Sequence, residues 1–296
     1  MLHEHTYVVI GGTGHLGSAT AEALLGLGRH VRVVTRSTAK ADAWAVRGAE
    51  SAIADIEDAA AMASALSSPQ PVRVFALNPP GSIHADPDAD EDRTAAAIVD
   101  ALAAARVDRV VAISTYGVRR GRRIGDLGTL HRFESLLRGL ATPVAILRVA
   151  YLYSNWDGAA TPARTQGEVP IMLDPDRPLP MVAPADVGRV AARLLTREQP
   201  AEGIVHVEGP RRYTPREVAA AFAEAVGSPV ATVRTPPQEW TNAFLAAGFS
   251  TEAAESFTGL TTLTDGDDWQ LDAAPTRGAT TLPEYIRALV RNSEGT

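Results

Sequence analysis

The chain has 296 residues, 45% of them hydrophobic and 21% charged, which suits one large α/β domain or one domain with a smaller lobe. A net charge of −7 argues against nucleic acid or an anionic membrane as the main partner, and no apolar run reaches the length of a membrane span. Cysteine is absent, which removes disulfides, thiolate catalysis, iron–sulfur clusters and cysteine-ligated zinc.

From the N-terminus, Met1-Leu2-His3-Glu4-His5 passes directly into strand residues without a signal-peptide pattern, so a cytoplasmic location is expected. His3-Glu4-His5 is a short terminal run of the exposed kind, the other histidines lack ligand spacing, and no metal is expected. Tyr7-Val8-Val9-Ile10 is a continuous apolar run, as in a strand buried on both faces. Gly11-Gly12-Thr13-Gly14-His15-Leu16-Gly17 follows, and Leu16, Ala19, Ala23, Leu24 and Leu27 then recur at helical spacing. Val31-Arg32-Val33-Val34 is a second strand, Ile53-Ala54 ends a third, and further strands start at Val72, Arg109 and Val144. This alternation predicts a parallel sheet with crossover helices.

The stretch 78–92, rich in proline, aspartate and glycine, reads as a long loop, either an active-site rim or a mobile segment. Residues 151–177 read as irregular because Pro162, Gly167, Pro170 and Pro175 interrupt them. A helix is expected near 186–195, with Val187, Val190, Ala191, Leu194 and Leu195 on one side. A strand at 204–207 returns to the sheet, and Thr214-Pro215-Arg216-Glu217 is a capping box opening another helix. Helical patterns near 238–247 and 282–290 complete a C-terminal lobe. The predicted class is α/β: a Rossmann-like, doubly wound parallel sheet over 1–150, interleaved with a small, mostly helical lobe over 151–296.

The glycine loop stands between a strand and a helix, the setting in which it binds a dinucleotide. Gly11 allows the tight turn, Gly14 the approach of a pyrophosphate, and Gly17 close helix–sheet packing, while Thr13, His15 and Leu16 carry the loop onto the helix N-terminus. At the end of the second strand, where an NAD site places an acid, this chain has Thr35-Arg36, with Lys40 one helical turn on. Arg36 and Lys40 suit a 2′-phosphate, so NADP(H) is the expected cofactor. Asp55 reads as a partner for the adenine amino group, as a helix N-cap, or as both.

These residues resemble the NmrA-like branch of the atypical short-chain dehydrogenase/reductase proteins. The resemblance rests on the glycine loop, Val33-Val34-Thr35-Arg36, Gly48-Ala49-Glu50 leading to Asp55, and the strand entering Asn78-Pro79-Pro80. It continues through Arg109-Val110-Val111-Ala112-Ile113-Ser114-Thr115, His131-Arg132-Phe133-Glu134, Leu147-Arg148, Asn155, Pro184-Ala185-Asp186-Val187 and Leu282-Pro283-Glu284-Tyr285. It implies NADP(H) at the carboxyl edge of the sheet, with Asn78 and Pro79 beside it, and a substrate cleft between the lobes. Members include quinone reductases and regulators that sense the NADP redox state.

Short-chain reductases ordinarily use a tyrosine four residues before a lysine. Lys40 is the only lysine here, so that pair is absent, and the Tyr116–Arg120 match at the same spacing is read as accident. The candidates for catalysis are His131, the residue type that exchanges a proton near neutrality, and Tyr116, which either hydrogen-bonds a carbonyl or caps its strand. Tyr151, Tyr153, Asn155 and Trp156 form an aromatic-rich group suited to a flat substrate or to a domain junction. Three readings stay open. One is an NADPH-dependent reductase of a quinone-like or conjugated carbonyl small molecule; the second is a non-catalytic NADP(H) sensor; the third is an isomerase, dehydratase or cyclase on the same fold. A homodimer is compatible with all of them.

Overall fold

The computed structural model describes residues 4–267, 269, 271 and 273–293. In chain order the first half runs β1 (Thr6–Val9), α1 (His15–Gly26), β2 (His30–Thr35), α2 (Thr38–Val46), β3 (Glu50–Ile53), α3 (Ala59–Ala65), β4 (Val72–Ala76), α4 (Pro87–Ala104), β5 (Val107–Thr115), α5 (Asp126–Leu137) and β6 (Val144–Val149). The second half runs β7 (Tyr151–Leu152), a 3-10 turn over Tyr153–Ala159, α6 (Ala160–Gln166), β8 (Glu168–Ile171), β9 (Met181–Val182), α7 (Pro184–Thr196) and β10 (Gly203–Glu208). It ends with α8 (Pro215–Val226), β11 (Ala231–Arg234), α9 (Trp240–Ala246), α10 (Thr251–Gly266), β12 (Thr276–Arg277) and α11 (Leu282–Ser293).

The main sheet has the order β12-β10-β6-β5-β4-β1-β2-β3, with its pairs all parallel. Its six N-terminal strands follow the doubly wound 3-2-1-4-5-6 arrangement, which confirms the α/β class. The strand order reverses between β1 and β4, so a crevice opens at their carboxyl ends, where such sheets bind ligands. Strands from the second half, β10 and β12, extend the same sheet.

Both sheet faces are covered, which is why the strands read as continuous apolar runs. Tyr7 and Val9 face a core shared with α1, α7, α8 and α11, whereas Val8 and Ile10 face one shared with α3, α4 and α5. Helices α1 and α7 touch closely because α7 brings Gly188 against Ala19, where a Cβ would meet the Ala19 backbone. In the second half, Phe244, Phe249 and Phe257 join α9 to α10.

Three segments differ from the sequence-based expectation. The loop expected over 78–92 ends sooner: Asp86 caps α4 by accepting from Ala89 N, and Pro87 takes the first helical turn. The supposedly irregular 151–177 holds the 3-10 turn, α6 and β8. Pro162 is accommodated near the start of α6, where its missing N–H has no helical partner to lose. Helix α10 lies where no helix was expected, with Ser250 as its N-cap accepting from Ala253 N. Among the described residues no helix is long and apolar enough to cross a membrane.

Candidate functional site

The glycine loop leaves β1 through Gly11, whose φ of +76° suits glycine, and enters α1 with Gly14 as N-cap. Gly12 and Gly17 are dictated by protein packing: a Cβ at Gly12 would press on the Val33 side chain, and one at Gly17 would overlap the Gly11 carbonyl. Gly14 differs. A Cβ there would meet nothing nearer than the Gly11 carbonyl at 3.7 Å, so the fold itself leaves room at this exposed position. The end of α1 carries no side-chain cap and no first-turn acid. Its first helical hydrogen bond comes from Ser18 N to Gly14 O, which leaves the N–H groups of His15, Leu16 and Gly17 without helical acceptors. An open cradle of donors at the positive end of a helix fits a pyrophosphate.

A hollow of about 400 Å³ runs from Thr13, Gly14, His15 and Ser18 toward Pro184 and Tyr285. The 3-10 turn crosses above it: Asp157 stands 3.9 Å from His15 Nε2 and accepts the Tyr285 hydroxyl at 2.8 Å. Beside Asp157, Trp156 is 6% exposed and its indole N–H has no partner. Such a donor is an orphan in the protein alone and fits a site completed by a polar ligand.

At the other end of the crevice, Arg36 leaves β2 with 80% of its side chain exposed and its Nη1 3.8 Å from Asp55 Oδ2. Ser37 caps α2 by accepting from Lys40 N, which puts the exposed Lys40 in the first turn of that helix. Asp55 is not the N-cap of α3. Asp58 takes that role, accepting from Ala60 N and Ala61 N, and Asp55, besides facing Arg36, closes a local turn by accepting from Glu57 N. A strand-end arginine with an exposed lysine nearby is chemically suited to a phosphate monoester.

Past β4 the buried Asn78 is committed to the protein. Its Nδ2 donates to Glu91 O at 2.9 Å and its Oδ1 accepts from Thr94 Oγ1 at 2.7 Å, while Pro79 beside it is half-buried. Glu91 holds the same loop from its side chain, accepting from Gly81 N at 3.0 Å and from Thr129 Oγ1 of α5. Burial pushes the Glu91 carboxyl up to about 7 against these two hydrogen bonds. Nothing in the residue pattern marks Glu91, because it sits in the acidic stretch 78–92 that reads as a loop.

The residues expected near the reacting end divide into two groups. Tyr116 is 2% exposed, lies edge-on to His206, and points its hydroxyl at Glu208 Oε2, 3.5 Å away. Burial, then the Glu208 charge, holds that hydroxyl well above the usual tyrosine range. Tyr153 is fully buried against Tyr213 and Tyr285, its hydroxyl 3.4 Å from Thr280 O, and belongs to the core. By contrast Tyr151 and Trp156 are together, their rings 5.8 Å apart, and the exposed Asn155 lies beside Trp156 on the same 3-10 turn. Burial lifts Tyr151 to about 12, opposed by Asn155 and reinforced by the nearby Asp126.

His131 is half-buried on α5, one turn before Glu134. Glu134 itself is buried, accepting from Ser114 Oγ at 2.6 Å, from Arg148 at 2.9 and 2.8 Å, and from Arg138 at 2.6 Å. Its burial works against ionisation, but Arg148 and Ser114 outweigh that and hold the carboxyl below its usual range. The H-x-x-E and L-R motifs thus meet in one buried ionic knot. His3 of the terminal His-Glu-His run lies outside the described residues. Among those that are described, no three His, Asp or Glu side chains are grouped as metal ligands.

The family model of the NmrA-like family matches residues 3–293. The chain belongs to the NmrA-like family. An NmrA-like chain of this kind has a curated relative in the NAD(P)H azoreductase of Xenophilus azovorans, 25% identical over 292 residues that cover 95% of this chain and 96% of the relative. Two solved structures share the NmrA-like fold. The NADPH-dependent quinone oxidoreductase from Escherichia coli, complexed with NADPH, has 20% identity and a TM-score of 0.77 over 96% of this chain and 99% of that one. The Citrobacter sp. triphenylmethane reductase, complexed with NADP(H), has 18% identity and a TM-score of 0.78 over the same shares, 96% and 99%.

Proposed function

We propose that this protein is an NADPH-dependent reductase of a conjugated carbonyl, quinone-like small molecule. The observation that carries the reading is the uncapped α1 N-terminus with its vacant space at Gly14, in line with the exposed Arg36 at the end of β2. His15, Leu16 and Gly17 would hold the pyrophosphate through backbone N–H groups, and Arg36 with Lys40 would select the 2′-phosphate. A bound reduced nicotinamide supplies hydride; the protein has only to orient the acceptor, exclude water and manage a proton.

The names of the relatives support this choice of acceptor. Azo compounds, quinones and triphenylmethane dyes are all extended conjugated systems that accept a hydride. Tyr151 and Trp156 offer such a system apolar surface, and Asn155 offers it a hydrogen bond. The usual Tyr-Lys pair has no counterpart, since the one lysine stands on α2 at the adenosine end. Tyr116 is engaged with Glu208 and is not the proton donor in this reading.

The test is the decay of NADPH absorbance on addition of a naphthoquinone or an azo dye, with NADH in parallel. Turnover with NADPH favoured over NADH is the expected result. Tight NADPH binding without turnover across a broad acceptor panel overturns the reductase reading.

A further inference from the structure

Asp157 is an acid standing beside a cradle built for an anion. His15, the first residue of α1, turns its Nε2 toward Asp157 Oδ2 of the 3-10 turn, 3.9 Å away. The other oxygen, Oδ1, accepts the Tyr285 hydroxyl of α11 at 2.8 Å. The two oxygens of one carboxylate are thus turned to two different helices. Tyr285 is itself braced, its ring 5.6 Å from that of the fully buried Tyr153. Burial, then Asp157, holds the Tyr285 hydroxyl well above the usual tyrosine range, so it remains a donor. His15 and Tyr285 both line the hollow of about 400 Å³ that opens from Gly14.

That hollow is poor in positive charge. Among the described residues that line it, none is lysine or arginine, and its carboxylate, Glu22 of α1, pairs with Arg47 of α2. From α7 come Pro184 and Ala185, and the next residue, Asp186, is engaged by Arg189 and by the N–H groups of Ala279 and Thr280. On α11, Glu284 accepts from the N–H and the hydroxyl of Thr281. Asp157 and the imidazole of His15 are the titratable groups left to meet a pyrophosphate, which is a dianion. Burial raises the Asp157 carboxyl above its usual range, against the Tyr285 hydrogen bond and His15.

We propose that dinucleotide binding draws a proton onto His15, whose imidazolium then bridges Asp157 and the pyrophosphate, with Asp157 and Tyr285 as positioning residues. This rests on the dinucleotide site of the reading above and adds to it a dependence on pH. Nε2–H donates to Asp157 and Nδ1–H to a phosphate oxygen, and only the cation carries both N–H groups. The proton comes from solvent. With His15 neutral, the carboxylate and the dianion face each other uncompensated. His15 therefore holds its proton more tightly with the dinucleotide than without it. The affinity gained is complete below the free imidazole's range and is lost as pH rises through the bound one.

Calorimetry of NADPH binding at about pH 7.5, above the usual imidazole range, in two buffers of different ionisation enthalpy counts the protons exchanged. Net uptake by wild type is expected, and His15→Gln should abolish it. The 2′-phosphate, with its second ionisation at about pH 6, releases a proton on meeting Arg36 and does not mimic uptake. Wild-type affinity should weaken about tenfold between roughly pH 6.5 and 8.5, and the glutamine variant should lack that decline. Asp157→Asn still accepts the Tyr285 hydroxyl but carries no charge. At the high end of that range it should bind NADPH at least as tightly as wild type, which loss of a merely structural contact would not produce. Tyr285→Phe should take up less than wild type. No net uptake, or uptake unchanged in His15→Gln, overturns the proposal with the reductase reading intact. Weaker binding by Asp157→Asn at high pH overturns the role of Asp157. Uptake without turnover on any acceptor overturns the reductase reading and leaves this one standing, and a failure to bind NADPH overturns both.

Discussion

Ser114 at the end of β5 donates a 2.6 Å hydrogen bond to Glu134 in the middle of α5, and Glu134 in turn clamps Arg148 of β6. One buried carboxylate on α5 thereby ties together the neighbouring strands β5 and β6. Removing it with Glu134→Ala strands Arg148 without a counter-charge and should destabilise the fold by about 3–5 kcal/mol, measured by urea unfolding. The folded-state pKa of Glu134 lies below its reference value of 4.5. Its contribution is therefore complete above that value and is lost as pH falls through the folded one. The wild type should lose this share of stability only in acid, and the alanine variant should lack that loss.

Gly14 and Gly17 separate ligand demand from packing demand within a single loop. Gly14→Ala places a methyl in space that the protein leaves open, at a φ of −92° that alanine adopts without strain. Its melting temperature should stay at the wild-type value while NADPH affinity falls at least about tenfold. Gly17→Ala drives a methyl into the Gly11 carbonyl and should cost roughly 1–3 kcal/mol of stability with or without ligand. Calorimetry of both variants, with and without NADPH, reads the two effects apart.

Arg36 should discriminate between cofactors. Arg36→Ala removes the cation expected at the 2′-phosphate, so NADPH should bind roughly 10–100-fold more weakly while NADH affinity stays within a factor of two or so. The side chain is 80% exposed, so the wild-type preference should itself shrink as salt is raised. Fluorescence titration of both dinucleotides at low and high ionic strength checks each statement.

Glu91 should make stability depend on pH in the opposite sense to Glu134. Its folded-state value is raised from 4.5 to about 7, so the folded state holds the proton more tightly than the unfolded chain does. Stability attributable to Glu91 is complete below 4.5 and declines as pH rises to about 7. Glu91→Gln keeps the side-chain volume, and its urea midpoint should be flat across that window where the wild type falls.

Much of the nucleotide half was legible because its signals are local. A strand buried on both faces, a glycine loop and an amphipathic helix each declare themselves within a few residues, and Arg36 follows at a fixed distance from the loop. The start of α4 was misread because Asp86-Pro87-Asp88-Ala89-Asp90 has the composition of a loop, although a capping aspartate, a first-turn proline and first-turn acids are also how helices begin. Helix α10 is rich in threonine and glycine, weak helix formers, and packing against α4 and Gly125 supports it in place of propensity. The separation of Tyr153 from Tyr151 arises because the chain leaves β7 at Leu152 and enters the 3-10 turn at Tyr153, and no period announces that change. Glu91 went unmarked for a related reason: it lies in the stretch that reads as a loop, and only the approach of Gly81 after β4 and of Thr129 on α5 engages its carboxyl.

The contact between Gly188 of α7 and Ala19 of α1 bears on how the chain is made. A ribosome has released every strand of the 3-2-1-4-5-6 sheet well before α7 emerges, so the outer side of α1 and the apolar face beneath it wait uncovered in the nascent protein. Expressing residues 1–150 alone should therefore yield a fragment that aggregates or recruits chaperones, however complete its glycine loop. A nucleotide-binding module transplanted from this protein would have to carry α7 with it.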